Sequence, residues 1–229
     1  MPKSSKPARS PADETGVIEI PAPQWINLTV RIEGTLPLLI RKFSAKNIHG
    51  DTDNGPVKNK SAKQSPQSMA DSGRYIAVGN GGKKLWDGFN ALTIKGCMIS
   101  AVGMVEKTTK TDMKLAIFVE AEGYDADGTP LIQILGERGK AGFEINKAIC
   151  RTTTGASYEC YRPMYQPWSA IIRLRLNAHL INAKQAVNLL SLGGAYCGIG
   201  EHRASSTKSY TGGSYGAFKI ESAEAKVAA

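Results

Sequence analysis

The sequence predicts an α+β domain whose core runs strand, helix, strand, strand, helix, strand, and three observations carry that prediction. The stretch QWINLTVRIEG alternates, placing Ile26, Leu28, Val30 and Ile32 on one face of a strand and Asn27, Thr29 and Arg31 on the other. WSAIIRLRLNAHL does the same later in the chain, with Ile172, Leu174, Leu176 and Ala178 opposite Arg173, Arg175, Asn177 and His179. Two segments of helical apolar spacing fall where a β-α-β-β-α-β plan needs its helices. That plan is the ferredoxin-like, RRM-like arrangement, in which the helices cover one face of the sheet and leave the other open.

Residues 1–16 are rich in Pro, Ser and Lys and read as a disordered basic tail, because they hold too little apolar surface to order themselves. After the first strand and TLPLLIRKF, residues 44–72 carry almost nothing apolar and read as a mobile insertion, long for a connector. RYIAVG suits a short strand. In KKLWDGFNALTIKGCMISAVGMV, residues Leu85, Phe89, Leu92, Ile94, Met98, Ala101 and Val102 are spaced as in a helix, interrupted by Gly88 and Gly96. KLAIFVEAEG and PLIQILGE read as a hairpin turning at YDADGT. Residues 141–167 form a second insertion, irregular or a hairpin, rich in Arg and Tyr. NAKQAVNLLSLGGAYCG follows the arginine-bearing strand as a helix with Asn182 as N-cap and Ala186, Leu189 and Leu190 as its apolar stripe. GAFKIE is the last strand and residues 223–229 read as a disordered tail, so one domain spans residues 17–222.

At 229 residues the chain can bury a core that needs no staples. Its net charge of +9 points to an anionic partner, nucleic acid before membrane, since no basic amphipathic helix accompanies it. No apolar run is long enough to span a bilayer and the first residues lack the apolar core of a signal peptide, so a cytoplasmic location is expected. Cys97, Cys150, Cys160 and Cys197 form no C-x-x-C pair and lie in or beside apolar segments, as reduced core thiols do. No metal or cofactor is expected, and the chain contains no P-loop.

The densest motif is NLLSLGGAYCGIGEHRASSTKSYTGGSYGAFKI, a glycine-rich loop with an embedded Glu-His-Arg. Glycines permit positive φ and let backbone N–H groups approach a phosphate, and Arg203 adds a phosphate-directed fork. The same residues also suit a flexible loop after a helix that Gly193 and Gly194 terminate, with Arg203 solvated. In CYRPMYQPW, Tyr161, Arg162, Tyr165 and Trp168 combine aromatics with a cation. Trp168 reads as a core anchor and Arg162 as a partner-facing residue.

The segments GTLPLLIRKF, YRPxxxxW and GxxCGIGEHR…GGSYGAFKI resemble the RAMP superfamily of RNA-binding proteins found in CRISPR complexes. Within that superfamily the similarity is to compact phage-type proteins like the effector backbone subunit, which would place the chain in a host cytoplasm. It covers about residues 18–221. By that resemblance the glycine-rich loop, through Gly198, Gly200, Arg203, Gly213 and Gly216, packs against the open sheet and touches a nucleic-acid backbone. The expected interface as a whole comprises Arg31, Arg41, Lys42, Arg162, Arg173, Arg175, Gly198, Gly200, His202, Arg203, Lys208, Gly213 and Gly216.

The expected function is therefore non-catalytic binding of single-stranded DNA or RNA, with copies coating the strand as a homo-oligomeric filament and the 44–72 insertion reaching a neighbour or folding over the strand. Such binding is salt-sensitive and largely sequence-independent. Two alternatives stay open: a metal-independent endoribonuclease acting through His202 or His49, or a subunit mimic that binds another protein. Neither histidine has an acid–base partner by spacing.

Overall fold

A computed structural model describes residues 20–42, 65–136, 139, 141–151, 157–206 and 212–227. The expected 1–16 tail lies outside them, as does most of the 44–72 insertion. The chain is mixed α+β, with antiparallel sheets and, among the described residues, four α-helices.

Strand β1 (Trp25–Gly34) is followed by the short β2 (Leu38–Leu39). Helix α1 (Pro66–Ser72) then corrects the end of the expected insertion: the Ser65 hydroxyl accepts from the Ser68 N–H and Pro66 opens the first turn, two ordinary start signals. Next come β3 (Tyr75–Val78) and β4 (Lys84–Asn90). The single helix expected over this stretch is corrected here: only α2 (Leu92–Ala101) is helical, because Lys84–Asn90 pairs on both sides. Gly88 marks the reason, since a Cβ there would lie 2.5 Å from the carbonyl oxygen of Ile132 on the neighbouring strand.

Helix α3 (Lys110–Ala116), N-capped by the Thr109 hydroxyl, runs directly into β5 (Ile117–Glu120), so the first residues expected as strand are helical. The expected hairpin exists, but its arms are β6 (Gly123–Tyr124) and β7 (Pro130–Gln133), while β5 leaves to pair elsewhere. Asp125 closes the turn by accepting from the Asp127 and Thr129 N–H groups. Within the expected second insertion, β8 (Glu144–Arg151) and β9 (Ser157–Tyr165) form a hairpin. Strand β10 (Ser169–Asn177) leads to α4 (Ala183–Leu192), whose Asn182 and Gln185 exchange both bonds of a capping box. The helix does not stop at its glycine pair but continues as a π-helical turn, Gly193–Cys197. A Cβ on Gly194 would sit 2.5 Å from the Phe218 carbonyl oxygen, so these glycines serve close packing.

The last strand, β11 (Phe218–Val227), corrects the expected C-terminal tail: it pairs with β1 from Gly34↔Phe218 to Ile26↔Val227, with a bulge after Arg31. The main antiparallel sheet has the order β11-β1-β10-β5, and two smaller sheets have the orders β2-β9-β8 and β3-β4-β7-β6.

The core lies between the main sheet and the helices. Leu28, Val30, Ile32, Ile172, Leu174 and Leu176 meet Ile94, Met98, Ala186 and Leu190. Trp168 is 2% exposed, with Phe89 and Phe218 edge-on to its ring at 6.5 and 6.3 Å, and its indole N–H donates to the Leu36 carbonyl. It is the anchor the sequence suggested. Cys97, Cys160 and Cys197 are buried and form no disulfide, and burial pushes the Cys97 thiol up to about 12, with Cys197 beside it adding to the shift. Among the described residues no helix is long and apolar enough to cross a membrane.

Candidate nucleic-acid interface

The two alternating strands lie side by side, Asn27 opposite Arg175 and Thr29 opposite Arg173, and their polar residues point away from the helices. Asn27, Thr29, Arg31, Glu33, Arg173 and Arg175 are all exposed. The flanking strands extend this face into rows. One row reads Lys226, Asn27, Arg175, Phe118; the next reads Glu224, Thr29, Arg173, Glu120.

The first row ends in an aromatic cluster. Trp25 and Phe118 meet edge to face at 5.4 Å, and the Arg175 guanidinium lies 4.7 Å from the Trp25 ring and 5.8 Å from the Phe118 ring. The Lys95 ammonium lies 5.0 Å from the Phe118 ring while donating to the Lys114 carbonyl. Cations over ring faces hold both groups in place. The result is a planar cation and a ring in a row that contains no acid, with the Trp25 ring against it.

The rest of the face is less basic than the sequence suggested, because carboxylates accompany the other arginines. Arg173 pairs with Glu122 at 2.7 Å and Arg31 with Glu221 at 2.6 Å. Each pair is a little under half exposed on at least one side, so it stabilises little and is open to exchange with another anion. Arg31 and Arg173 are thus neutralised within the protein, and the unneutralised positive charge concentrates at Arg175 and Lys226.

The remaining predicted residues lie elsewhere. Gly198, Gly200 and Gly216 have φ of 70°, 78° and 69°, as the loop reading expected. Their backbones, however, interlock with the protein itself. Ile199 N donates to the Gly216 oxygen, Gly216 N to that of Pro37 and Glu201 N to that of Leu39. A Cβ on Gly200 would overlap the Leu39 oxygen, and one on Gly213 the His202 carbonyl. These glycines permit close approach of backbone to backbone, which accounts for them without a phosphate.

Arg203 folds back, donating to the Gly200 carbonyl and to the Ser205 hydroxyl. His202, at φ 50°, is exposed and edge-on to Tyr215 at 6.4 Å. The partner-facing role read for Arg162 is corrected: it is 3% exposed, bonded to Glu201 at 3.0 Å and Asn146 at 3.3 Å, with its Nε buried and unpartnered. It ties the glycine-rich loop to the β8–β9 hairpin. Arg41 is half-buried just after β2. Lys208 and His49 lie outside the described residues.

Lys42 bridges Asp125 at 2.7 Å and Asp127 at 2.6 Å. The contact to Asp125 Oδ2 is an ion pair, and the close charge governs both groups. Burial alone would raise the Asp125 carboxyl, but its bonds to Lys42 and to the Thr129 and Asp127 N–H groups outweigh burial and hold it below the usual range. A folded-state value below the unfolded one stabilises the protein at neutral pH, and that contribution disappears as pH falls from the ordinary aspartate value of about 3.9 through the lowered one. Acid unfolding of wild type below about pH 4 is accordingly expected to be steeper than that of Lys42→Met. Circular dichroism against pH checks it; parallel curves would mean that the clamp contributes nothing.

Trp25, Phe118 and Lys226 were missed by sequence reasoning. Trp25 shares the odd-numbered parity of Asn27 and Arg31, a signal present in the strand itself. Phe118 becomes part of the site only through the pairing of β5 with β10. Among the described residues, no cluster of three or more His, Cys, Asp and Glu side chains is placed to hold a metal ion. No family model matches this chain, and no curated protein sequence matches it.

Proposed function

We propose that the protein binds single-stranded nucleic acid across the open face of its main sheet, without cutting it, and that copies lie side by side along one strand. The observation that carries the reading is the acid-free row Lys226–Asn27–Arg175–Phe118 with Trp25 against it. Rings and a guanidinium plane on an open sheet suit unpaired bases, whose faces a duplex hides, and neighbouring cations suit the backbone. The strand order supports the finer fold reading. With β1, β5, β10 and β11 as the four core strands, helices join the first to the second and the third to the fourth, and the sheet order is fourth, first, third, second. That arrangement is compatible with the RAMP resemblance, and the net charge of +9 favours an anionic partner.

The test is fluorescence anisotropy with a labelled 20-residue single strand and its duplex, across a salt series in chelator. The single strand is expected to bind more tightly, with affinity falling as salt rises. Charge reversal, Arg173→Glu with Arg175→Glu, is expected to weaken binding about tenfold or more and to flatten the salt slope. Equal affinity in wild type and the double variant would sink the sheet-face reading. RNA recovered at full length is expected throughout, whereas cutting in chelator that His202→Ala abolishes would establish a ribonuclease. Light scattering with a long strand tests the side-by-side arrangement: assemblies growing with strand length support it, and one copy per strand overturns it.

A further inference from the structure

A second concave site lies away from the acid-free row, between α1, β3, β4 and the β6–β7 turn. Its volume is about 250 Å³, just below the usual range of ligand pockets of about 300–1,000 Å³, and suits one phosphate with a ring beside it. Ile76, Val78 and Ala126 give it an apolar wall. Lys42, Arg74 and Lys84 converge on it from three different segments of the chain.

Two of these cations are held in the same way. Lys42 is paired to Asp125, 1% exposed, and also to Asp127, 66% exposed. Arg74 is paired to Asp87, 7% exposed, and also to Asp71, 45% exposed. In each case a buried acid fixes the cation, and an exposed acid occupies the side that faces solvent. The buried pairs persist because breaking one strands a charge, whereas the exposed ones contribute little and exchange readily. The third cation, Lys84, is exposed and has no carboxylate within ion-pair distance among the described residues. Arg74 is further steadied by the Phe143 ring at 4.7 Å and by its bond to Asp87, which also accepts from the Tyr165 hydroxyl. This is a preorganised site in which ligand oxygens can take over the positions of two weakly held carboxylates.

We infer that this cleft binds the phosphate-bearing unit of a single nucleotide, its phosphate replacing the Asp71 and Asp127 carboxylates at Lys42, Arg74 and Lys84 and its ring lying on Ile76, Val78 and Ala126. The inference deepens the single-strand reading and rests on it for one source of the nucleotide, the phosphorylated end of a strand; the other source is a free mononucleotide.

Calorimetry with AMP, adenosine, and a 12-residue single strand with and without a 5′-phosphate tests it. AMP is expected to bind the full-length protein at least about tenfold more tightly than adenosine, as a charge-assisted phosphate contact requires. Lys84→Glu, an exposed change, is expected to weaken AMP about tenfold, and Asp127→Asn to tighten it several-fold by removing the competing carboxylate. A merely structural pair would give the opposite sign at Asp127. Charge reversal at Arg173 and Arg175 is expected to leave AMP binding unchanged. A 5′-phosphate that strengthens strand binding in wild type but not in Lys84→Glu identifies the strand end as the ligand; AMP binding without that gain identifies the free nucleotide. Strand binding with no response to AMP, or AMP binding indifferent to both single variants, overturns the cleft alone. AMP binding without strand binding overturns the sheet-face reading alone, and binding of neither removes both.

Discussion

With Trp25 and Phe118 both replaced by alanine, the protein is expected to hold a single-stranded oligonucleotide about thirtyfold more weakly or worse, while still unfolding cooperatively. Base–aromatic stacking contributes about 1–3 kcal/mol per base, and two rings are lost. The fold should survive, because both rings stand on the face turned away from the Leu28–Val30–Ile32 core. Either ring alone should give an intermediate loss, and the two losses should not add, since the rings share Arg175 at 4.7 and 5.8 Å. Anisotropy at fixed salt measures the affinity and thermal circular dichroism the fold. Unchanged affinity with the fold intact would move the binding surface off this sheet face.

Gly216→Ala is expected to destabilise the protein by about 3 kcal/mol. At φ 69° a side chain is strained wherever it points, and here a Cβ would also overlap the Ile199 carbonyl. Relief of that overlap breaks two bonds: Gly216 N to the Pro37 oxygen at 2.8 Å, which joins the loop to residues 36–39, and Ile199 N to the Gly216 oxygen at 2.9 Å, which holds the loop to itself. Gly96 is the control. A Cβ there meets nothing within 4 Å and the residue lies inside α2, so Gly96→Ala should stabilise by about 0.5–1 kcal/mol. Urea denaturation resolves both signs. A Gly216→Ala protein as stable as wild type that loses strand binding would return the glycine-rich loop to the phosphate-contacting role its resemblance implied.

What could be read from the sequence divides along a physical line. The faces of β1 and β10 follow from period-two alternation within each strand, so Arg173 and Arg175 were placed on the open side from local pattern alone. The Asn182 cap is local chemistry too. Lys84–Asn90 went astray because Leu85, Phe89 and Leu92 also satisfy a helical period. What decides for strand is its pairing with β3 and with β7, which is distant in sequence. Residues 223–227 look disordered by composition, yet their backbone bonds to β1 do not depend on side-chain type.

The candidate site divides in the same way. Arginine positions were legible, but Phe118 joins them only through a register between β5 and β10 that no local period specifies. The loop glycines were legible as unusual. Their reason was not, because the atoms they must clear belong to Leu39, Ile199, His202 and Tyr215, brought together by the fold.

Photo-cross-linking tests the central claim most directly. A bound single strand carrying 4-thio-substituted bases, irradiated and digested, would be mapped by mass spectrometry to the residues its bases touch. The sheet-face account predicts cross-links at Trp25 and Phe118, lost on Arg173→Glu with Arg175→Glu. Cross-links confined to residues 197–217, with Trp25 and Phe118 unmodified, would contradict it.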